Sequence, residues 1–228
     1  MTNRSAHAPG PLHELLNSVL LLLVLGMFVS LLLLWAQAGG PAWGAPDATP
    51  TRPGRPAAGD AALPALFTPE VRHWEADIVR WAAAYDLDPR LVATVMQIES
   101  CGDPQAVSSA GARGLFQVMP YHFAADEDPQ DPDTNARRGL GYLQRMLAQA
   151  NGDVRLALAA YNGGPQRLTE PESAWPAETR RYVAWGWGIY QDAQAGRAQS
   201  ATLEAWLKAG GRALCHQAQA RLPLRPVE

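Results

Sequence analysis

The sequence predicts a mainly α-helical domain that follows one hydrophobic segment and a linker. Beyond residue 64, apolar residues recur at helical spacing between clusters of glycine, proline and aspartate, and no run of alternating β-branched residues indicates a strand. An uncharged stretch near the N-terminus is long enough to cross a bilayer. With 228 residues, the chain has room for one well-packed domain with appendages.

A short tail, residues 1–14, precedes the uncharged segment Leu15–Trp35. At a helical rise of about 1.5 Å per residue this segment spans roughly 30 Å, which matches the hydrocarbon core of a bilayer. Because Ala36-Gln37-Ala38 resembles a signal-peptidase site, a cleaved signal peptide is the competing interpretation. The apolar run exceeds the usual ~7–15 residues of a signal peptide, which favours a transmembrane anchor over residues 15–38.

The segment of residues 39–64 is rich in glycine, proline and alanine and has no apolar periodicity. We interpret it as a linker. In a polyproline-like conformation, at ~3.1 Å per residue, it extends over several tens of ångströms. The domain predicted for residues 65–228 is therefore expected to reach well beyond the membrane surface.

Apolar periodicity and helix-capping residues predict a compact bundle of helices in this domain, with no internal repeat. Asp88-Pro89 marks one helix start, since an N-cap acid precedes proline at the first helical position. Glycines are expected to end several helices, including the pair Gly210-Gly211, after which we expect a tail. The predicted helices are Pro69–Tyr85, Pro89–Ile98, Thr134–Gln149, Asp153–Tyr161, Ala177–Ala195 and Ser200–Lys208.

Composition argues against several classes of function. A net charge of −3 provides no basic excess for a phosphate backbone, so nucleic acid is not expected as a partner. The histidines and the two cysteines have neither HExxH nor CxxC spacing, and we predict no metal and no cofactor. Asp131, Asp133 and Asn135 alternate as in a calcium loop, but Ala136 and Tyr142 replace the required glycine and glutamate. We interpret this stretch as a helix start.

One glutamate is placed for acid catalysis. On the helix that begins at Pro89, Val92, Val95 and Met96 form an apolar stripe, and Glu99 continues the same face. Burial without a cation raises the pKa of a carboxyl group, which suits it to act as a general acid near neutral pH. The alternative is a partly exposed glutamate at the end of a helix.

Three motifs in order carry a family resemblance. From Ile98 the chain reads IESCGDPQAVSSAGARGLFQVMP, and LALAAYNGGP and ETRRYV follow. This set resembles the SLT-type lytic transglycosylases of the lysozyme-like superfamily, over about Leu87 to Tyr190. The resemblance implies a lysozyme-like fold that acts on the glycan strands of peptidoglycan without a cofactor.

The resemblance also implies roles for individual residues. It assigns catalysis to Glu99 and places Tyr161 beside it. The hydroxyl and amide groups of Ser108 and Gln117 are suited to bind sugar substituents, although each can instead satisfy a local backbone group. For Glu178, in the first turn of a helix, a helix-capping role competes with a role in the groove. The expected substrate-binding residues are Ser100, Ser108, Gly114, Leu115, Phe116, Gln117, Met119, Tyr161, Asn162 and Glu178, with Phe116 replacing the methionine of the family's GLMQ.

The motifs supply one carboxylate, whereas a glycosidase normally uses two. The resemblance implies that Glu99 acts first as acid and then as base, and that the muramyl 6-hydroxyl closes a 1,6-anhydro ring. One alternative is a hydrolytic muramidase in which Asp103 or Glu178 positions water. Another is a catalytically silent protein that binds the cell wall or serves its assembly.

The implied substrate predicts an extracytoplasmic domain on a single-pass anchor in the cytoplasmic membrane. Cys101 and Cys215 both follow the hydrophobic segment and would meet an oxidising compartment, so we predict a disulfide between them. The alternative is two unpaired, buried thiols. A disulfide requires their Cα atoms to lie within roughly 7 Å. In the chain-entropy model, the disulfide would contribute on the order of 4–5 kcal/mol to the free energy of unfolding.

Overall fold

A computed structural model of the chain describes residues 63–224. The predicted membrane segment and nearly all of the predicted linker lie outside this range, as do the last four residues. None of the helices between residues 63 and 224 combines the length and the apolar character needed to cross a bilayer.

The described part of the chain is mainly α-helical, which confirms the predicted class. Its only β interactions there are the isolated bridges of Arg113 with Val107 and Val118. The α-helices are α1 Pro69–Arg72, α2 Glu75–Ala84, α3 Pro89–Glu99, α4 Pro132–Gln149, α5 Val154–Gly163, α6 Ala177–Gln194, α7 Ala201–Trp206 and α8 Arg212–Arg221. Short 3-10 turns occupy Pro120–His122, Pro165–Leu168 and Glu172–Ala174, and a π-helical turn occupies Leu207–Gly211.

Helix α3 lies at the centre of the domain. It begins where the sequence predicts, since Asp88 accepts a hydrogen bond from the Arg90 N–H at 2.9 Å and Pro89 follows the cap. Every residue from Leu91 to Ile98 is buried, and the helix packs between α2 and α6. The helix therefore carries its last residue, Glu99, directly after a buried segment of eight residues.

The first predicted helix, Pro69–Tyr85, is wrong in one respect, because it is broken between α1 and α2. At the break the Trp74 backbone leaves helical geometry, with φ −90° and ψ 11°. The Trp74 indole N–H donates to the Gly102 carbonyl oxygen at 2.8 Å, and its ring stacks on Trp81. The apolar spacing continues through the break, so periodicity alone does not reveal it.

The predicted helix stop at Gly210-Gly211 is confirmed, because Gly210, at φ 128° and ψ −17°, leaves helical geometry and the chain kinks there. The tail predicted after this stop is wrong. After the kink the chain forms a further helix, α8, where Cys215 and Ala218 are buried. A Cβ on Gly211 would lie 2.4 Å from the Trp206 ring, so this glycine allows the start of α8 to approach the ring closely. Helix α8 returns to pack beside α1.

Asn135 on α4 organises the loop that follows α3. Its amide donates to the carbonyl oxygens of Arg113 and Pro129 at 2.7 and 2.8 Å, and its carbonyl accepts from the Phe116 N–H at 2.8 Å. A Cβ on Gly114, at φ +75°, would lie 2.4 Å from the same amide. Asp131 caps α4 through the Thr134 N–H, in agreement with the predicted helix start.

Candidate active site

Glu99 lies at the C-terminal end of α3 and is partly exposed, whereas the residues before it are buried. Its carboxylate oxygen Oε1 accepts a hydrogen bond of 2.7 Å from the hydroxyl of Tyr182, a buried residue of α6. The packing of α3 against α6 thus brings together two side chains that are 83 residues apart in sequence.

Burial raises the pKa of Glu99 to about 7. The hydrogen bond from Tyr182 acts against burial, because it favours the ionised carboxylate and lowers the pKa. The negative charge of Glu178 raises the pKa further. At neutral pH, Glu99 is therefore divided between the acid and its conjugate base, the condition that suits a group acting in both roles.

Tyr161 of α5 lies close enough to Glu99 for the carboxylate charge to act on it. Burial, followed by that charge, raises the pKa of the Tyr161 phenol well above its ordinary value. Its hydroxyl donates to the Phe116 carbonyl oxygen at 2.8 Å. A Cβ on Gly139 would lie 2.6 Å from Phe116 Cβ and 3.1 Å from the Tyr161 hydroxyl, so this glycine makes room for both.

Glu178 and Asn162 lie where α5 ends and α6 begins. Glu178 is exposed and precedes Tyr182 by four residues, hence by about one helical turn. The N-cap of α6 is Pro176, and no side chain caps this helix. The Asn162 carbonyl accepts from the Thr179 hydroxyl at 2.9 Å, which ties the two helices together. The negative charge of Glu178 raises the pKa of Glu99, so the two carboxyl groups interact electrostatically.

Some of the predicted groove residues face the protein interior. Ser100, Leu115 and Phe116 are fully buried. The Ser100 hydroxyl donates to the Leu115 carbonyl oxygen at 2.8 Å and accepts from the Gly102 N–H at 3.1 Å. In this conformation these three residues hold the turn after Glu99 against the following loop, and they offer no surface to a ligand.

Ser108, Gln117 and Met119 are partly exposed on that loop. The Ser108 hydroxyl accepts from the Ala112 N–H at 3.0 Å, and the Gln117 amide donates to the Gly114 carbonyl oxygen at 3.0 Å. Gln117 has φ +47°, an unusual backbone for a residue other than glycine. Both polar side chains thus make local backbone contacts and also reach the surface.

Comparison with known proteins identifies the region around this site. The family model described as "Transglycosylase SLT domain" matches residues 77–182. The chain carries an SLT domain. This domain contains Glu99, Tyr161, Glu178 and Tyr182, and it ends before α7 and α8.

Relatives of the SLT domain are phage and bacterial proteins. A "Transglycosylase" of Enterobacteria phage PRD1 is 40% identical over 111 residues, which are 48% of this chain and 40% of the phage protein. A "Membrane-bound lytic murein transglycosylase F 1" of Alkalilimnicola ehrlichii is 31% identical over 132 residues, covering 54% of this chain and 26% of the relative. The chain thus spans less than half the length of either relative.

Among solved structures, an inactive mutant of the lytic transglycosylase Slt from Pseudomonas aeruginosa matches 54% of this chain and 24% of its own chain. That match has 28% sequence identity and a TM-score of 0.45.

Asp103, one of the acids considered for a hydrolytic mechanism, has a structural role in the turn that follows Glu99. It is 1% exposed, and its Oδ2 forms an ion pair of 2.5 Å with Arg221 of α8. Its Oδ1 accepts from the Gln105 N–H at 2.9 Å. With both oxygens engaged and no surface, Asp103 is not arranged to position a water molecule.

Cys101 and Cys215 form a disulfide that links the end of α3 to α8. Their Cα atoms are 5.0 Å apart, within the separation expected for the predicted pair. The buried Gln97 amide donates to both sulfur atoms, and its carbonyl accepts from the Thr68 N–H at 3.2 Å. Between residues 63 and 224, the one grouping of potential metal ligands is Glu70 with these cysteines, and the disulfide consumes both thiols.

Sequence reasoning did not single out Tyr182, the residue that binds the Glu99 carboxylate. The ETRRYV motif was recognised, but only its glutamate was assigned a role. A signal was available, because Glu178 and Tyr182 are four residues apart and share one face of a helix. If Glu178 faces the groove, Tyr182 faces it too.

Proposed function

We propose that the chain is a peptidoglycan lytic transglycosylase. It would cleave the β-1,4 bond between N-acetylmuramic acid and N-acetylglucosamine without water and leave 1,6-anhydro ends. The observation that carries the proposal is a single glutamate, Glu99, whose pKa of about 7 allows it to give and to take a proton at neutral pH. The SLT domain around it supports the same reaction class.

In the first step, neutral Glu99 gives its proton to the glycosidic oxygen, and the bond from this oxygen to the muramyl C1 breaks. The N-acetylglucosamine leaves as an alcohol. The neighbouring acetamide of the substrate stabilises the cation-like carbon, a task that a second carboxylate performs in most glycosidases. The Tyr182 hydroxyl donates to the carboxylate that Glu99 has become.

In the second step, the Glu99 carboxylate takes the proton of the muramyl 6-hydroxyl while that oxygen bonds to C1. The anhydro ring closes, Glu99 is neutral again, and no water is consumed. Only one protein carboxylate is needed, which agrees with the engagement of Asp103 by Arg221.

The predicted substrate-binding residues that reach the surface are proposed to contact the glycan. They are Ser108, Gln117, Met119, Asn162 and Glu178. Tyr161 is proposed to shape the cleft beside Glu99. Ser100, Leu115, Phe116 and Gly114 would position this surface from within.

We further propose that the domain acts outside the cytoplasmic membrane, attached through Leu15–Trp35. A disulfide suits an oxidising compartment, and the Cys101–Cys215 bond supports this location. The Alkalilimnicola relative is named as a membrane-bound lytic murein transglycosylase, which also supports it.

Mass spectrometry of the products tests the proposal. Purified peptidoglycan is incubated with the full chain, and the released muropeptides are measured. We expect 1,6-anhydro ends. Products heavier by one water would establish a hydrolytic muramidase instead, and binding without release of products would establish a silent wall-binding protein.

A further inference from the structure

Tyr121 is an exposed aromatic residue that the proposed reaction does not use. Its exposed fraction is 74%, and among the residues that the structure describes only Val107 accompanies it as a large exposed apolar side chain. It directly follows the loop with the partly exposed Met119. A single exposed ring is common on protein surfaces, so the significance of Tyr121 depends on the rings beside it.

The Tyr121 ring is the outer end of a row of aromatic rings that begins at the active site. Tyr161 contacts Tyr142 with ring centroids 5.6 Å apart, and Tyr142 stacks on His122 at 6.4 Å with an angle of 25° between the planes. His122 contacts Tyr121 at 4.4 Å. These spacings are typical of interacting rings, so the row is continuous from the neighbour of Glu99 to the surface.

The row is held in place by backbone contacts. The Tyr142 hydroxyl donates to the Ala160 carbonyl oxygen at 3.0 Å, which fixes that ring between α4 and α5. Tyr121 and His122 lie in the 3-10 turn after Met119, and the His122 N–H donates to the Met119 carbonyl oxygen at 3.0 Å. A ligand that stacks on these rings therefore meets a preorganised surface.

We infer that Tyr121, His122 and Tyr142 form a sugar-stacking subsite for a ring of the glycan strand that lies away from the bond being cleaved. The inference rests on the proposed function and extends it. The face of a pyranose ring carries C–H groups and packs on an aromatic ring, while its hydroxyl groups remain in water. Exposed and partly exposed rings in a row can pack against successive sugars of one strand.

The charge beside the row suits the same ligand. The Arg145 guanidinium lies over the Tyr142 ring, 5.7 Å from its centroid, and Arg145 is exposed. Glycan strands of peptidoglycan carry stem peptides with carboxylate groups, and a cation at the edge of the subsite would attract them.

Binding of defined oligosaccharides tests the subsite. The full chain carrying Glu99→Gln, which should bind without cleaving, is titrated by calorimetry with a hexasaccharide and a disaccharide of alternating N-acetylglucosamine and N-acetylmuramic acid. Adding Tyr121→Ala should weaken hexasaccharide binding by roughly threefold to tenfold, in line with the loss of one aromatic contact. Disaccharide binding should not change, because the shorter ligand does not reach the row.

Two variants serve as controls. Tyr121→Phe keeps the ring and should retain the affinity. His73→Ala removes another exposed histidine that contacts an aromatic ring, Trp74, outside the row and should leave both affinities unchanged, whereas His122→Ala should weaken the hexasaccharide. Melting curves check that each variant is folded.

Unchanged hexasaccharide binding by Tyr121→Ala and His122→Ala would overturn the subsite. The proposed function fails separately, if the chain with Glu99 intact releases no anhydro products from peptidoglycan.

Discussion

At the scale of single residues, one carboxyl group and its surroundings determine the proposed chemistry. Glu99 has an ordinary carboxyl group that burial brings to a pKa of about 7, and Tyr182 opposes that change by donating to its ionised form. Its protonation state is therefore set by the packing of α3 and α6 and not by glutamate chemistry alone.

Replacement of Glu99 by glutamine should abolish cleavage and leave the fold intact. The amide keeps the shape of the side chain but delivers no proton, so glycan cleavage should fall at least about 100-fold. The measurement is the release of muropeptides beside a melting curve. Near wild-type turnover by a folded variant would exclude Glu99 as the acid.

The same variant has a pH-dependent effect on stability. The native state binds the Glu99 proton more tightly than the unfolded chain does, so protonation of Glu99 stabilises the wild-type fold. This stabilisation is complete below about pH 4.5 and is lost as the pH rises through about 7. Glu99→Gln does not ionise. Its melting temperature relative to that of the wild type should therefore rise between pH 4.5 and pH 7.

Tyr182→Phe should shift the pH dependence of cleavage to higher pH. The Tyr182 hydrogen bond lowers the pKa of Glu99, so its loss raises that pKa, and the alkaline decline in kcat/KM should begin at a higher pH. The turnover number should fall roughly tenfold, since a hydrogen bond to a charged group is lost. Tyr190→Phe is the control, because its hydroxyl binds Asp88 elsewhere on α6. An unmoved profile in Tyr182→Phe would contradict the assigned role.

At the scale of elements, the C-terminal helix α8 supports the turn that follows Glu99. Cys101 and Gly102 both have positive φ in this turn, and a Cβ on Gly102 would lie 2.8 Å from the Glu70 carbonyl oxygen. The Cys101–Cys215 disulfide and the Arg221–Asp103 ion pair attach the turn to α8. Helix α8 thus lies outside the matched SLT domain but contributes to its stability.

Arg221→Gln should destabilise the domain by about 1–3 kcal/mol, because the buried Asp103 carboxylate loses its cation. Arg155→Gln is a matched control. The Arg155 and Arg221 side chains are both 45% exposed, but Arg155 pairs with Glu172, whose side chain is itself 54% exposed. Loss of that surface pair should cost less than about 1 kcal/mol. Urea unfolding measures the loss of free energy of unfolding in each variant. Equal losses in the two variants would contradict the importance of Asp103 burial.

Cys215→Ser should lower the free energy of unfolding by about 2–5 kcal/mol, because the disulfide closes a long loop of the unfolded chain. The two cysteines are 114 residues apart. Reductant should not change the stability of the variant. The wild type, once reduced, should lose about as much stability as the substitution removes. If reduction leaves the wild-type unfolding curve unchanged, the bond does not stabilise the fold.

At the scale of the whole molecule, the state of the cysteines reports the compartment. Cells are quenched in acid, denatured and treated with a maleimide polymer before electrophoresis. We expect no gel shift of the wild type without reductant and a double shift after reduction, as for a domain outside the cytoplasm. Cys215→Ser provides the single-shift standard. A double shift without reductant would place the domain in a reducing compartment and contradict the proposed location.

Local signals in the sequence were sufficient for the helical class and for the central helix. The Asp88-Pro89 start of α3 and the apolar stripe that ends at Glu99 depend on residues within a few turns of one another, and the structure follows them. The break at Trp74 and the helix α8 after Gly210-Gly211 were not predictable in this way. At the break, the Trp74 indole donates to the distant Gly102 carbonyl oxygen. Helix α8 is tied to the turn after α3 by the Cys101–Cys215 disulfide and the Arg221–Asp103 ion pair.

The sequence by itself determined which carboxyl group stands at the end of a buried helix and which two cysteines were available to pair. Only the tertiary structure decided that Tyr182 binds Glu99 and that Arg221 engages Asp103, across 83 and 118 residues. Helical periodicity defines which face of a helix is buried, but it does not define which face of another helix packs against it. The partner of Glu99 therefore follows from the packing of α3 against α6, and the partner of Asp103 follows from the position of α8. Neither follows from a local pattern.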